Sequence, residues 1–310
     1  MKAVRYLILL WHIGRQMGWR YVLFRAGYWL QAKTGLLTLR FPKGATPKSF
    51  ISIQEWRNQT PAFLFDPDKL SVQRNAGITD LKWRVEQIRT GMFRYFSGEW
   101  FEVPDWHTNP ITGFAYPKSQ HWSKVNDLSP KAGDIKYLWE KSRFTFLYDL
   151  IRYDFHFSED QSATVLGLIA DWIDHNPVNC GPNWKCSQEI ALRVLNWTFA
   201  LHYYRLSPTL NQSLLDRILC SIYDQMRHVE SNIRFSEIAV RNNHVLTEAL
   251  GLFTTGLQFP CFPESEQWRT HGKRLFEQEI CSQITPEGTY LQFSMNYHRV
   301  VIQLMAWGRT

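Results

Sequence analysis

From Ile135 onward, apolar residues recur every three or four positions in successive segments of roughly 12 to 20 residues, separated by short polar or Pro/Gly-containing breaks. The segments fall near 135–157, 159–175, 187–205, 208–229, 242–257, 264–283 and 294–308. Strand signals are few. A chain patterned this way buries helix faces against helix faces, and paired antiparallel helices of this length point to a helical toroid or solenoid. No fixed-period sequence repeat is present, so any repetition is structural. The stretch 44–134 is rich in Pro, Gly, Asn and aromatics, and reads as loops and short elements wrapped on the helical body.

With 310 residues, 45% hydrophobic and 20% charged, the chain has ample sequence to bury a core, and its composition is that of a globular rather than a disordered protein. The net charge of +7 implies an acidic partner: nucleic acid, anionic lipid or anionic polysaccharide. Much of it is local. Lys2, Arg5, Arg15, Arg20, Arg25, Lys33, Arg40 and Lys43 make the first 43 residues strongly basic, as expected of a solvated face on N-terminal helices. Within Met1–Gly14 the apolar run Tyr6–Trp11 is short for a signal peptide, and no small-residue cleavage site follows it. An amphipathic helix lying on the protein or on a membrane surface fits this segment better. No run approaches the ~20 apolar residues that span a bilayer.

Aromatic faces pack on sugar rings as well as on bases, so the 14 Trp are informative. Most belong in a core. Trp106, Trp122 and Trp184 lie in loop-like sequence and are the expected ligand contacts. Cys180, Cys186, Cys220, Cys261 and Cys281 form an odd, widely spaced set. Cys180 and Cys186 are spaced to bridge across a loop, with buried free thiols as the default.

Two polar clusters interrupt the apolar helices: Arg241-Asn242-Asn243-His244 with Glu248, and Tyr297-His298-Arg299. Each has an ordinary structural explanation. Asn243 falls at a helix start, where Asn commonly caps, and Glu248 stands four residues beyond His244, where it would orient the imidazole. Ser187 is the expected N-cap of the next-richest block, in which Glu189 and Arg193 stand at i and i+4 as a surface pair. Glu140 and Arg143 are expected in a buried or interhelical salt bridge.

In combination the clusters offer more. Eliminating across a uronic acid requires a group that neutralises the carboxylate, a base for the C5 proton and an acid for the departing glycosidic oxygen. An amide serves the first, His or Tyr the second, Tyr the third. The chain lacks H-E-x-x-H, zinc-like Cys/His spacing, a P-loop, G-x-G-x-x-G and G-x-S-x-G, so no metal and no cofactor is expected in this portion.

Taken in order, several blocks resemble the N-terminal half of heparinase II/III-like polysaccharide lyases over about residues 95–305. They are Asp105-Trp106, Gly133–Lys136 with Trp139, Glu140 and Arg143, Asn176–Trp184, Glu189-Arg193-Trp197, Asn243-His244 with Glu248, and Glu287-Gly288 through Tyr297-His298. The resemblance implies a mainly α fold, an incomplete α/α toroid of antiparallel helix pairs, followed in the family by an antiparallel β-sandwich with the active site in the cleft between them. It makes 1–94 a basic N-terminal helical and loop extension and 95–310 the toroid. The ending Gly308-Arg309-Thr310, with no polar tail, is expected to be a truncation before the sandwich, which would complete the active site.

By the same resemblance, Asn243 neutralises the uronate carboxylate, Tyr297 is the general acid and in some members also the base, and His244 contacts substrate or acts as base. Trp184, Glu189, Arg193, Glu248, His298 and Arg299 are the expected substrate-binding residues. The implied partner is an anionic polysaccharide and not nucleic acid, and the implied location is the cell envelope or periplasm. Two rivals stand beside this reading: a noncatalytic binder of acidic polysaccharide, and a helical-toroid glycoside hydrolase drawing on Asp105, Asp154, Asp171 or Glu189.

Overall fold

The computed structural model describes residues 11–46, 48–59, 61, 63, 78–126 and 128–309. Lys2, Arg5 and the run Tyr6–Leu10 therefore lie outside the described residues. The chain is mainly helical. Helices α1 (Trp19–Thr34), α2 (Leu36–Arg40), α3 (Ile53–Gln59) and α4 (Leu81–Arg89) lead into a small hairpin, β1 (Met92–Arg94) with β2 (Trp100–Glu102). The body follows as α5 (Lys136–Ser142), α6 (Leu147–Phe157), α7 (Ser162–His175), α8 (Ser187–Tyr203), α9 (Gln212–Phe235), α10 (Asn243–Gln258), α11 (Ser265–Gln283) and α12 (Met295–Arg309).

Six of the seven expected helices match single elements; the first, 135–157, is two. The break between α5 and α6 falls at Phe144, whose positive φ of 63° turns the chain out of helix and drives its ring fully into the core. Periodicity could not show this, because both halves keep the same apolar spacing.

Helix α8 forms the centre, buried along most of its length, including its polar residues. It packs against α6, α7, α9 and α10, and α10 in turn packs against α11 and α12. The α10–α11 contact is close enough to need glycine on both sides. A Cβ on Gly256 would meet the Ser265 carbonyl at 2.3 Å, and one on Gly272 would meet the Phe253 nitrogen at 2.5 Å. Side-chain-free approach of this kind brings the helix backbones within reach of each other.

The loops of 78–134 are tied down by polar side chains buried among aromatics. Lys141 donates to the Val103 carbonyl at 2.9 Å and lies over the Phe93 and Trp106 rings, and burial lowers its pKa to about 8. The Asn109 amide donates to the Ala132 and Asp134 carbonyls. All five cysteines are free thiols, so Cys180 and Cys186 do not bridge.

Candidate active site

The site is built where α9 ends and α10 begins. Five residues, Ser236–Val240, wind as a π turn closed by the bond from the Arg241 amide to the Ser236 carbonyl, 2.7 Å. Arg241 then takes a left-handed conformation, φ 55°. Such π turns and left-handed residues re-aim the chain at a cost and recur at functional sites. Here they start α10 with Asn242 as its N-cap, the side chain accepting from the His244 amide at 3.0 Å. Asn243 is therefore the first helical residue and not the cap. Its side chain is buried, and its Oδ1 has no hydrogen-bond partner among the described residues.

His244 opens onto a cavity of about 500 Å³ whose lining includes Arg25, Trp29, Trp139, Lys185 and Glu248. Burial lowers the His244 pKa, opposed by Glu189 and reinforced by Lys136, so the imidazole is neutral at neutral pH. Its Nδ1 lies 3.9 Å from the Cys186 sulfur. Glu248 does not orient it: the carboxyl instead accepts from the Ser236 hydroxyl at 2.6 Å, and its Oε2 has no partner among the described residues. Burial pushes the Glu248 pKa up to about 8, so the group carries a proton through most of the neutral range.

Glu189 pairs across helices rather than along its own. The Arg143 guanidinium bridges Glu189 on α8, through Nε at 2.5 Å and Nη2 at 2.8 Å, to Glu140 on α5. This is the interhelical bridge expected of Glu140 and Arg143; the expected surface pair of Glu189 with Arg193 is not formed.

Arg193 has no exposed surface. It donates to Gln225 Oε1 at 2.7 Å and to the Ser142 and Asn183 carbonyls, and its guanidinium lies 4.0 Å from the Trp172 ring centroid. Trp184 is likewise enclosed, against Trp172 and His228. Both side chains are packed within the body, and Trp184 also reaches the lining of a second cavity beside Lys48 and Asp216. Trp106 is also buried, its indole donating to Asp171; of the three loop Trp, Trp122 is the one that reaches the lining of the His244 cavity. Ser187 does not cap α8, whose N-cap is Cys186, and its hydroxyl accepts from the Asn232 amide instead.

The second cluster stands on the first turn of α12. Tyr297 is 42% exposed, His298 is half-buried and Arg299 is exposed. None of the three lines the His244 cavity. The link between the clusters is Tyr290, which sequence reasoning missed. Burial pushes its pKa up to about 12, opposed by the Asn243 backbone amide and reinforced by nearby Tyr297. Its hydroxyl shares its one proton between Gln292 Oε1 at 2.9 Å and Gln283 Oε1 at 3.1 Å, and the Gln283 amide donates to the Asn242 carbonyl. Gln283 and Tyr290 thus fasten the start of α10 to the segment carrying Tyr297. Gln283 stands outside every motif, and Tyr290 lies inside the block from Glu287-Gly288 to Tyr297-His298 without being singled out there.

A larger cavity, about 770 Å³, lies by Lys48, Gln212, Asp216 and Asp224. Its lining sets Lys48 and Arg217 against Asp216 and Asp224, which leaves no net positive charge for an anion. Among the described residues no cluster of His, Cys, Asp and Glu is arranged to hold a metal ion.

A family model described as Heparinase II/III N-terminus matches residues 89–307. A heparin-sulfate lyase of Bacteroides thetaiotaomicron is 22% identical over 204 residues, 64% of this chain and 28% of the relative. One from Pedobacter heparinus is 26% identical over 140 residues, 44% of this chain and 20% of the relative. Among solved structures, the heparan sulfate lyase of Pedobacter heparinus superposes with a TM-score of 0.59 at 18% identity, covering 83% of this chain and 38% of that one. The heparinase III gene product BT4657 gives a TM-score of 0.57 at 18% identity, covering 83% of this chain and 39% of that one. This chain thus spans 28% or less of the length of these curated relatives, and under two-fifths of these solved chains. The structural likeness bears on the helical fold.

Proposed function

This chain belongs to the heparinase II/III N-terminal family, and on that premise we propose that it forms the helical part of a polysaccharide lyase acting on an anionic, uronic-acid-containing glycan. The reaction is β-elimination. A base removes the C5 proton, the electron pair forms the C4–C5 double bond, the C4–O bond breaks, and an acid returns a proton to the departing oxygen. No water is consumed, and the product carries an unsaturated uronate end.

One observation carries the reading: Asn243, its side chain buried, and a neutral His244 stand together at the start of α10, and His244 opens onto a basic and aromatic cavity. An amide neutralises a carboxylate by hydrogen bonding, and its benefit grows as charge moves from C5 into the carboxylate during proton removal. A neutral imidazole accepts a proton where an imidazolium does not. Tyr297 is assigned the proton delivered to the leaving oxygen. Arg25 and Lys185 supply the positive field that draws a polyanion to the cavity. The names of the relatives put heparan-sulfate-type chains first among candidate substrates. The cell envelope or periplasm is the proposed place of action.

The hydrolase alternative loses ground because its carboxylates are already committed. Asp105 accepts from the His107 and Thr108 amides, Asp154 from the Gln161 amide, Asp171 from the Trp106 indole, and Glu189 pairs with Arg143. Tyr297→Phe tests the proposal. In the intact protein, turnover is expected to fall by roughly 10²- to 10⁴-fold with glycan binding retained. Full activity in that variant removes Tyr297 from the mechanism.

A further inference from the structure

Residues 1–54 contain nine Lys and Arg and no Asp or Glu, so the remainder, with 26 basic and 28 acidic residues, is slightly negative. The whole positive balance belongs to the N-terminal segment. Within it, α1 is apolar on two opposite faces. One face meets the body: Tyr28 packs on Phe235 at 4.6 Å and donates to Asn232, with Phe24 beside it. The other carries Trp19, Leu23 and Leu30, spaced i, i+4 and i+11 on one side of the helix. These three are 54%, 70% and 53% exposed. Leu36 and Leu39 on α2 are also exposed, and the exposed Arg15 and Lys33 are neighbours of the face along the chain, while Arg20 pairs with Glu237 of the body. A helix needs one apolar face to pack on its protein; a second, turned to solvent, needs a second partner.

We propose that the outward face of α1 docks on an anionic lipid surface, with Trp19, Leu23 and Leu30 entering the interface and the surrounding Arg and Lys meeting the headgroups. Interleaved Trp, Leu and basic residues on one exposed helix face are the composition of an interfacial helix. Basic residues near an anionic bilayer add attraction that salt screens. Charge complementarity chooses among occupants. A second copy would bring two basic surfaces together, and a soluble polyanion would use the cations but gain nothing from exposed Leu. The helix lies outside the family-matched residues 89–307; Arg25 and Trp29 on it line the His244 cavity, but Trp19, Leu23 and Leu30 do not, and the inference does not draw on the lyase reaction.

The test is co-sedimentation of the full chain with vesicles of phosphatidylcholine alone and of phosphatidylcholine mixed with phosphatidylglycerol. Binding to the mixed vesicles, weakened by salt and reduced on the order of a hundredfold by the pair Leu23→Ser and Leu30→Ser, is the expected result. Circular dichroism of that variant must match the parent, and because both side chains point away from the body it is expected to. A milder Leu23→Ala variant gives a second reading if folding suffers. No binding to either vesicle, or binding that the substitutions leave unchanged, overturns the proposal. Self-association or binding of a soluble anionic polysaccharide that is lost in the variant, without vesicle binding, also overturns it and assigns the face to that partner.

Discussion

Arg193 shows how a residue can be recognised in sequence and misplaced in role. Its spacing from Glu189 points to an exposed pair on one helix face, because the sequence does not reveal that α8 is surrounded. Once every face of a helix is buried, charges pair across helices, and Glu189 goes to Arg143 while Arg193 gathers Gln225 and two carbonyls. Trp184 is hard to place for a related reason: loop-like sequence normally lies outside, but this loop folds under the aromatic core. Removing a fully buried guanidinium strands its acceptors. Arg193→Met is expected to lower unfolding free energy by about 3 kcal/mol in urea denaturation, with the buried carbonyls as the cause. A change below about 0.5 kcal/mol would mean that Arg193 is not the tie described.

At the scale of elements, apolar periodicity makes the helices legible from α7 to α12 to within six residues at either end, and it places Asn243 and His244 at a helix start. The close packing of α10 on α11 was not legible, because a glycine in a helix reads as a weakness until its neighbour is known. Gly272→Ala puts a methyl against the Phe253 nitrogen and the Ala249 carbonyl. It is expected to destabilise by about 1–3 kcal/mol, whereas the same change in an open helix would stabilise slightly. Thermal melts of Gly272→Ala beside Gly167→Ala, where no atom lies within 4 Å of the added carbon, check the difference in sign. Of the candidate site, the helical half was readable as the polar cluster Asn243-His244. The ties through Gln283 and Tyr290 were not, since long-range hydrogen bonds between ordinary polar residues leave no periodic trace.

For the molecule as a whole, buried titratable groups set the pH range of stability. His202 and His228 are held at about 3 by burial, below the 6.5 expected when unfolded. Their neutral forms support the fold fully above pH 6.5, and that support is lost as pH falls from 6.5 toward 3. Glu248 has the opposite sign. Its pKa is about 8 when folded and 4.5 otherwise, so stability is lost as pH rises from 4.5 to 8. Glu248→Gln is therefore expected to be more stable than the parent near pH 8, on the order of a few kcal/mol, with the gap closing toward pH 4.5. Denaturant titrations of both proteins at several pH values measure this, and a pH-independent gap would contradict the burial of an ionisable Glu248. The most direct test of the central claim is to incubate the intact protein with a panel of uronate polymers, heparan sulfate first, and follow ultraviolet absorbance from newly formed double bonds. The account predicts a rise with at least one polymer and chain ends that are unsaturated. Cleavage that leaves saturated ends, or glycan binding with no cleavage of any polymer, would contradict it.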